Sequence, residues 1–480
     1  MSTARAHKTA MRRVALSRPV ARALEDGLIT KSRSFFDYGC GRAGDVIRLS
    51  QLGFDVSGWD PAYFPDEERI PSAVVNLGYV INVIEDLEER AVVLGAAWAL
   101  TQTVLVVAAR LEHEARQLDG EFQGDGIITK KRTFQKFYRQ EELRIWIDAM
   151  LGVQSIAAAP GVFYVFREPK DAQGFLASRL ARRDPIPKVQ HAEETFEEHA
   201  TLLGPLMEFV NDRGRVPRQA ELATSSEITR QFGSVTSAFS LIRRVTGPER
   251  WEEIRHRRRQ DVLVYVALAA FGKRPTFGML SETLCGDIRA FFGSYKKACA
   301  EADHLLFQAG DRLAIDAACV RSPVGKLLPD SLYVHESAIQ SLSPLLRVYE
   351  GCGRQLVGAV DQVTLIKFSR QRAGVSYLVY NKFDRVAHPE LLESFIADLP
   401  RLDIHHRDYR ASANPPVLHR KELLVSDDYP ARAKFQKLTR QEERAGVLEG
   451  PNIGRKLDWD ARLEALGYHT QGHRLIKRPV

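Results

Sequence analysis

The chain has 480 residues, which is too long for one ordinary core, and a usual size of about 100–200 residues per domain predicts roughly three domains. Its composition is 44% hydrophobic and 27% charged, and it has no apolar stretch near the roughly 18–20 residues that span a bilayer. These values exclude an integral membrane protein. The formal charge of +7 favours an anionic partner, although 61 acidic residues are interspersed among 68 basic ones.

The cysteines indicate the compartment. They are odd in number, widely scattered and without a C-x-x-C pair: Cys40, Cys285, Cys299, Cys319 and Cys352. We therefore expect a reduced, cytoplasmic protein without a metal site. Residues 1–22 are Arg-rich and acid-poor like a transit peptide, but they lack the apolar core of a secretory signal. We interpret them as a basic lead-in whose Arg12, Arg13 and Arg18 would suit phosphate contacts.

The first chemical motif is a glycine turn. An apolar strand ending at Asp37 continues into D-x-G-x-G, with Gly39 and Gly41 on either side of Cys40, and an amphipathic helix begins at Gly44. Glycines let the backbone turn tightly and approach a ligand, while the start of a helix presents unpaired N–H groups. This turn predicts a nucleotide-like ligand, and Asp37, Gly39, Cys40 and Gly41 are candidate cofactor contacts.

A second strand supports that prediction. It ends at Asp60, 19 residues after Gly41, where a carboxylate can bind ribose hydroxyls. The D-x-G-x-G spacing resembles the first motif of class I S-adenosylmethionine-dependent methyltransferases rather than a dinucleotide dehydrogenase. This resemblance implies S-adenosylmethionine as the cofactor.

Further strands and helices alternate after Asp60. A strand is predicted over Val74–Val80, a helix over Glu88–Leu100, and a fully apolar, buried strand over Val104–Ala109. This alternation favours a doubly wound, Rossmann-like α/β sheet. Only about a dozen residues separate Asp60 from Val74, which leaves little room for the usual helix and third strand.

The strand over Val74–Val80 carries the candidate catalytic residues. In the methyltransferases that the chain resembles, the loop after the fourth strand faces both cofactor and substrate. The strand over Val74–Val80 takes the place of that fourth strand here, because there is little room for the usual third one. We therefore assign catalysis to Asn76 and Tyr79 and cofactor contacts to Asn76 and Gly78. Enzymes that methylate base amines use an Asn or Asp, two prolines and an aromatic ring. Asn76-Leu77-Gly78-Tyr79 lacks both prolines, and the alternative is that Asn76 bonds the cofactor or caps the strand while Tyr79 packs. Cytosine C5 chemistry is set aside because this loop has no cysteine, and Cys40 is read as a packing residue.

Two regions suggest nucleic-acid contacts. Cations and aromatic residues interleave over Lys130–Tyr138, so Lys130 and Lys131 are candidate contacts, with a solvated loop and buried rings as the alternative. Farther along, Gly214-Arg215-Val216-Pro217 and Gly272-Lys273-Arg274-Pro275 begin two similar stretches that each carry Phe-Gly-Ser later.

This repeat resembles the homing-endonuclease-associated repeat, a small DNA-binding helical module whose last helix lies against the duplex. The usual Trp after Phe-Gly-Ser is replaced by Val235 and Tyr295. A packing pair without a DNA role is the alternative. The candidate DNA contacts of this region are Arg215, Lys273, Ser234, Ser294, Arg257 and Arg258.

The last third is harder to interpret. It begins with Leu332–His335 and a predicted helix over Ser337–Leu346, and two strand-like stretches follow over Val363–Phe368 and Val375–Tyr380, hence a smaller α/β domain. Asn414-Pro415-Pro416 is interpreted as a rigid turn, and His419-Arg420-Lys421-Glu422 with Asp403 or Asp408 leaves a nuclease as a minor alternative. The predicted domains are a cofactor domain over 1–170, a linker over 171–200, helical repeats over 201–325 and the α/β domain over 326–480.

Over nearly its whole length the chain resembles a bacterial family of methyltransferases associated with DNA phosphorothioation. The resemblance rests on five segments: His7–Ala10, Phe36–Arg42, Gly58–Pro61, Val75–Asp86 and Asn414–Glu422. Membership implies a role near DNA sulfur modification and phage defence, together with other defence proteins. The sequence thus predicts a DNA methyltransferase, with adenine N6 as one candidate acceptor. The main alternative is a non-catalytic cofactor sensor in a DNA-bound complex. A less favoured alternative is an RNA or small-molecule methyltransferase.

Overall fold

A computed structural model describes residues 15–115, 120–130, 132–180 and 194–478. Contacts divide the chain into two units. The first comprises the described residues of Met1–Glu168 with Ile315–Leu342 and Tyr349–Val480, and the second those of Pro169–Ala314 with Ser343–Val348. Lys131, Arg12, Arg13 and the segment His7–Ala10 lie outside the described residues.

The first unit contains a six-stranded sheet formed by the N-terminal part of the chain. Its strands are β1 (Phe35–Tyr38), β2 (Val56–Trp59), β3 (Ser72–Gly78), β4 (Thr101–Ala108), β8 (Ile156–Ala159) and β9 (Val162–Phe166). The spatial order is β2-β1-β3-β4-β9-β8. The first four strands run parallel, and β9 pairs antiparallel with both β4 and β8. The predicted doubly wound, mainly parallel sheet is therefore confirmed.

Burial explains why these segments form strands. All four residues of β1 and all five of β9 are buried, as are the last five of β4, because the sheet is covered on both faces. The helices that follow or precede the strands are α1 (Arg18–Glu25), α2 (Gly44–Gln51), α3 (Leu87–Leu100), the short α4 (Glu112–Ala115) and α5 (Gln140–Leu151). The predicted helix over Glu88–Leu100 corresponds to α3.

The segment between β2 and β3 differs from an ordinary βαβ unit, as its length predicted. Residues 61–63 and 65–66 form turns around an isolated bridge between Asp60 and Phe64, and residues 68–71 have no regular structure. β2 is the edge strand of the described sheet. A small three-stranded sheet lies between β4 and α5 and was not predicted. It consists of β5 (Gly120–Gln123), β6 (Gly126–Thr129) and β7 (Phe134–Gln135).

The second unit is helical. Its helices are α6 (Pro169–Leu180), α7 (Glu194–Glu198), α8 (Ala200–Arg213), α9 (Ser225–Phe232), α10 (Val235–Thr246), α11 (Pro248–Leu268), α12 (Glu282–Phe292) and α13 (Tyr295–Gly310). The helix α14 (Arg312–Val320) follows. Within the described residues, no helix is long and apolar enough to cross a membrane.

The repeated Phe-Gly-Ser motif has a clear local role in this unit. Gly233 and Gly293 end α9 and α12 with φ values of 77° and 75°, which favour glycine. The next residues, Ser234 and Ser294, cap α10 and α13 by accepting the backbone N–H three residues later. The motif therefore encodes the end of one helix and the start of the next.

The C-terminal part of the first unit contains a second sheet of six antiparallel strands in chain order. They are β10 (Lys326–Leu327), β11 (Ser331–His335), β12 (Leu365–Ser369), β13 (Gly374–Tyr380), β14 (Leu391–Asp398) and β15 (Asp403–Asp408). The remaining elements are α15 (Pro344–Val357), α16 (Arg432–Arg444), α17 (Lys456–Ala465) and the hairpin of β16 (Tyr468–Gln471) and β17 (Arg474–Lys477).

One helix prediction in this region is wrong. Glu336–Ser341 forms a 3₁₀ turn, and the α-helix begins only at Pro344. Proline is favoured in the first turn of a helix because its missing N–H has no partner there, and it cannot sit inside the predicted Ser337–Leu346 helix without breaking a hydrogen bond.

Candidate cofactor site

The strand order of the N-terminal sheet identifies where a ligand can bind. The chain passes from β1 outward to β2, and then returns to the other side of β1 to form β3. In open α/β sheets, ligands bind outside the carboxyl ends of the strands at such a reversal. The sheet is Rossmann-like. The loops that follow β1, β2 and β3 therefore meet at one edge, and these loops carry the predicted cofactor residues.

The glycine turn after β1 is held against the end of β2. Gly39 and Gly41 have φ values of 82° and 54°, and the amides of Gly39 and Cys40 both donate to the Trp59 carbonyl, at 2.8 and 3.0 Å. A Cβ on Gly39 would lie 2.5 Å from Val80 Cγ2. Glycine at this position thus lets the turn approach the loop after β3.

Asp60 organises the same turn. Its Oδ2 accepts the Gly41 amide at 3.0 Å, and its Oδ1 accepts the amides of Ala62 and Tyr63 at 2.9 and 3.1 Å. A carboxylate has about four lone-pair positions. One therefore stays open for a hydroxyl while the other three hold the loops after β1 and β2 together.

Asp37 and Asn76 form a buried polar pair between adjacent strands. Asn76 Nδ2 donates to Asp37 Oδ1 at 2.8 Å, and the two residues are 2% and 5% exposed. Asn76 Oδ1 has no hydrogen-bond partner within the described residues. A buried carbonyl oxygen without a partner costs about 1–3 kcal/mol. This oxygen is therefore an acceptor that a ligand N–H or O–H could satisfy.

Gly78 and Tyr79 follow at the end of β3. A Cβ on Gly78 would lie 3.0 Å from Asn76 Nδ2 and 3.2 Å from Pro19 Cγ, so glycine here makes room for the Asn76 amide. Tyr79 is half-buried and has a φ of 63°, and its amide donates to the Ala108 carbonyl at 2.8 Å. Left-handed backbone at a non-glycine residue is costly, and such residues concentrate at functional sites.

Two residues at this edge were missed by the sequence analysis. Asp45, in the first turn of α2, accepts the Ser17 amide at 2.7 Å, and both residues are buried. Ser17 Oγ has no partner within the described chain. The sequence did contain signals for both helix starts. Asp45 is an acid in the first turn after the glycines, and Ser17 precedes Arg18-Pro19.

Arg18, which we predicted to suit a phosphate contact, is the first residue of α1, and its guanidinium already binds other groups of the protein. Its guanidinium donates to the Pro160 carbonyl at 3.1 Å and pairs with Asp361 at 2.7 Å.

Cys40 behaves as a packing residue. Burial, together with the negative charges of Asp37 and Asp60, raises the pKa of its thiol to about 12. It is therefore protonated at neutral pH and is not a nucleophile.

Comparisons with known proteins add the following. No family model matches the sequence, and no curated protein matches it. A 1,6-didemethyltoxoflavin-N1-methyltransferase from Burkholderia thailandensis, solved with S-adenosylhomocysteine, is 11% identical over 34% of this chain and 79% of its own, with a TM-score of 0.23. The CcbJ methyltransferase from Streptomyces caelestis is 12% identical over 31% of this chain and 87% of its own, with a TM-score of 0.24.

A third solved structure is an amino pentose methyltransferase from Micromonospora echinaspora bound to S-adenosylmethionine. It is 13% identical over 31% of this chain and 88% of its own, with a TM-score of 0.23. At these identities and TM-scores, the assignment of the fold rests on the strand order described above.

The aromatic residues interleaved with Lys130 are part of the protein core. Phe134, Phe137 and Tyr138 are all buried, whereas Lys130 is exposed. Because the rings are covered, they cannot stack on bases. The prediction of base stacking by this segment is therefore wrong. The alternative of a solvated loop with buried rings describes the segment.

The predicted DNA contacts of the second unit divide into two groups. Arg215 is buried and pairs with Asp287 and Glu221 at 2.6 Å, and Arg258 is buried against the Asn211 carbonyl. A phosphate contact by either arginine would require these bonds to break. The other candidates reach the surface: Ser234, Ser294 and Arg257 are partly exposed, and Lys273 is exposed.

The last candidates lie in the C-terminal part of the first unit. Asn414 Oδ1 accepts the Leu457 amide at 2.9 Å, which attaches this segment to the start of α17. His419, Lys421 and Glu422 are buried, whereas Asp403 is exposed. Within the described residues no group of three or more His, Cys, Asp or Glu side chains could hold a metal ion.

Proposed function

We propose that the chain is an S-adenosylmethionine-dependent methyltransferase that acts on DNA. The observation that carries the proposal is the convergence of Asp37, the glycine turn, Asp60 and Asn76 at the strand reversal between β1 and β3. Each has a chemical feature suited to a nucleoside-like cofactor. A turn with two glycines, an open carboxylate position and an unpartnered amide oxygen lie on three adjacent loops or strands.

The residues present fit this cofactor. Asp60 would accept a ribose hydroxyl with its remaining lone pair, and Gly39 and Gly41 would let the backbone pass close to it. Asn76 Oδ1 would accept a hydrogen bond that it lacks within the described protein. When bound, S-adenosylmethionine supplies an electrophilic methyl group.

The remaining work of catalysis is positioning. Methyl transfer to an amine needs alignment of the acceptor and an oxygen that stabilises the developing N–H charge. Asn76 and Tyr79 are the side chains that we assign to this work. Asp37 acts on Asn76 by fixing its amide, so that Oδ1 is the end left to accept.

DNA as the substrate is supported by the basic charge and by the second unit. This unit presents two capped helices, α10 and α13, whose first turns carry exposed polar or basic side chains. We extend the proposal to a base amine, such as adenine N6, as the acceptor. A setting in phosphorothioation-linked phage defence follows from the family resemblance and belongs to the same proposal.

The test is transfer of labelled methyl from S-adenosylmethionine to duplex DNA, with and without phosphorothioate. Wild type should label DNA, and Asn76→Ala should lower the rate by about 10²-fold or more, because an oriented acceptor at the reacting centre is lost. Asn211→Ala is the matched control, since Asn211 is also a buried asparagine but lies in the second unit. Equal rates for wild type and Asn76→Ala would remove Asn76 from catalysis.

One observation favours a second function, a cofactor sensor without turnover. Asn76 is almost fully buried within a strand and its loop lacks the two prolines of amine methyltransferases. Measurable S-adenosylmethionine binding with no label on any DNA would establish this second function. No binding of the cofactor would refute both.

A further inference from the structure

The C-terminal part of the first unit contains a cleft whose lining includes none of the candidate cofactor residues. It has a volume of about 420 Å³, within the range of about 300–1,000 Å³ that is usual for small-molecule sites. We call it the C-terminal cleft and define it by His335, Tyr380, Lys382, Phe383, Arg385 and Tyr429.

The rim of this cleft is positively charged. Lys382 and Arg385 are exposed, and neither side chain forms a hydrogen bond or ion pair with the part of the chain that the structure describes. The acidic residue that also lines the cleft, Asp384, accepts the Tyr429 hydroxyl at 2.9 Å. Two cations are thus open to an anion, while the neighbouring carboxylate already has a donor.

The wall of the cleft is aromatic. The Phe383 ring lies 4.7 Å from the His335 ring and 6.5 Å from the Tyr429 ring, and His335 and Tyr429 are 5.1 Å apart. His335 Nδ1 accepts the Ser337 amide at 3.1 Å, so the proton of its neutral ring is on Nε2. Burial lowers the pKa of His335 to about 4, which keeps the ring neutral at physiological pH.

The backbone at the rim is held in an unfavourable conformation. Lys382 and Gln362, both lining the cleft, have φ values of 51° and 55°, which are costly for non-glycine residues. The buried Lys421 holds this loop, because its Nζ donates to the carbonyls of Phe383 and Val386, both at 2.7 Å. Lys421, from the His-Arg-Lys-Glu motif that the proposed methyl transfer does not use, therefore presents the rim in a fixed shape.

We propose that the C-terminal cleft binds a nucleotide unit, with its phosphate on Lys382 and Arg385 and its base against the partly exposed rings of His335 and Tyr429, which pack on the buried Phe383. Lys and Arg are the usual phosphate ligands, and aromatic rings stack on bases of any sequence. The nucleotide can come from a free nucleotide or from a single strand of nucleic acid, since the chemistry recognised is the same. This site is independent of the proposed methyl transfer.

The experiment measures binding to the full chain by calorimetry, with thymidine 5′-monophosphate, inorganic phosphate and a short oligothymidylate as probes. A pyrimidine is chosen because an adenine nucleotide could also enter the candidate cofactor site. We expect Lys382→Ala/Arg385→Ala to weaken binding of the nucleotide probe at least tenfold. The matched control is Lys31→Ala/Lys437→Ala, which removes two other exposed lysines of the first unit.

The two sources are separated by the probes. Binding of the free nucleotide that depends on Lys382 and Arg385 supports a small-molecule ligand, and the same dependence for the oligonucleotide alone supports a strand. The proposal is overturned if both double variants bind every probe like wild type. It is also overturned if inorganic phosphate binds as tightly as the nucleotide, because the aromatic wall would then have no role.

Discussion

At the scale of single residues, the candidate cofactor site depends on how closely two loops approach. Gly39 lets the turn after β1 pack closely against Val80, and its left-handed φ of 82° is found at few other residue types. Asp60 and Trp59 bind the same turn from the other side, through the amides of Gly39, Cys40 and Gly41. A small change in this turn should therefore move the site as a whole.

Gly39→Ala tests this dependence. Left-handed backbone costs a residue with a Cβ about 1–2 kcal/mol, and the new Cβ would also lie 2.5 Å from Val80 Cγ2. Gly27→Ala is the matched control, because Gly27 has a φ of 70° with nothing within 4 Å of the added Cβ. We expect both variants to melt at lower temperature, but only Gly39→Ala to lose S-adenosylmethionine binding in calorimetry. Equal cofactor affinity in the two variants would contradict the proposed approach of these loops.

At the scale of elements, the small sheet of β5, β6 and β7 flanks the carboxyl edge. The Lys136 amide next to β7 donates to the Asn82 carbonyl at 2.7 Å, a few residues beyond Tyr79. Arg90, only 1% exposed, donates to both carboxylate oxygens of Asp125 in the turn between β5 and β6. In β5, Phe122 is 89% exposed. This hairpin is thus a fixed element that presents an aromatic ring to solvent.

Asp125 makes the anchoring of the hairpin depend on pH. Hydrogen bonding to Arg90 lowers the pKa of Asp125 below its ordinary value. Because the folded pKa lies below the unfolded pKa, the ion pair stabilises the hairpin at neutral pH, and this stabilisation is lost as pH falls through the folded pKa.

We expect Asp125→Asn to lower the hydrogen-exchange protection of Gly120–Thr129 at pH 7, and wild type to show the same loss only in acid. Glu121→Gln is the matched control, because Glu121 lies in the same hairpin, is exposed and has no ion pair within the described residues. If Asp125→Asn and Glu121→Gln were protected alike, Arg90 would not be the anchor.

At the scale of the whole molecule, binding to DNA should depend mainly on charge in the second unit. Lys296 and Lys297 are exposed in the first turn of α13, directly after the Ser294 cap. Lysines that contact phosphates release counterions, so each contact contributes about 0.9 to the slope of log affinity against log salt.

Lys296→Glu/Lys297→Glu should therefore weaken duplex binding and reduce the magnitude of the salt slope by about 2, measured by fluorescence anisotropy across a salt series. Lys31→Glu/Lys437→Glu changes the net charge equally but places the new acids in the first unit. The same reduction in both double variants would show that only net charge matters and would contradict a DNA surface on α13.

The sequence by itself determined the features that depend on neighbours along the chain. The apolar run of β4 had to be a buried parallel strand, the glycines after Asp37 had to form a turn, and the short segment after Asp60 had no room for a helix and strand. The sequence shows Phe-Gly-Ser twice and assigns it to a helix, whereas the backbone angles and the Ser caps place it where one helix ends and the next begins.

The tertiary structure alone decided which distant groups meet. It paired Asn76 with Asp37, brought Asp60 to the Gly41 amide, and buried Arg215 against Asp287, all between residues far apart in the sequence. It also assembled the C-terminal cleft from β11, the loop after β13 and the segment before α16. Hydrophobic periodicity reports how one element faces the core, whereas side-chain pairing depends on strand order and packing between elements.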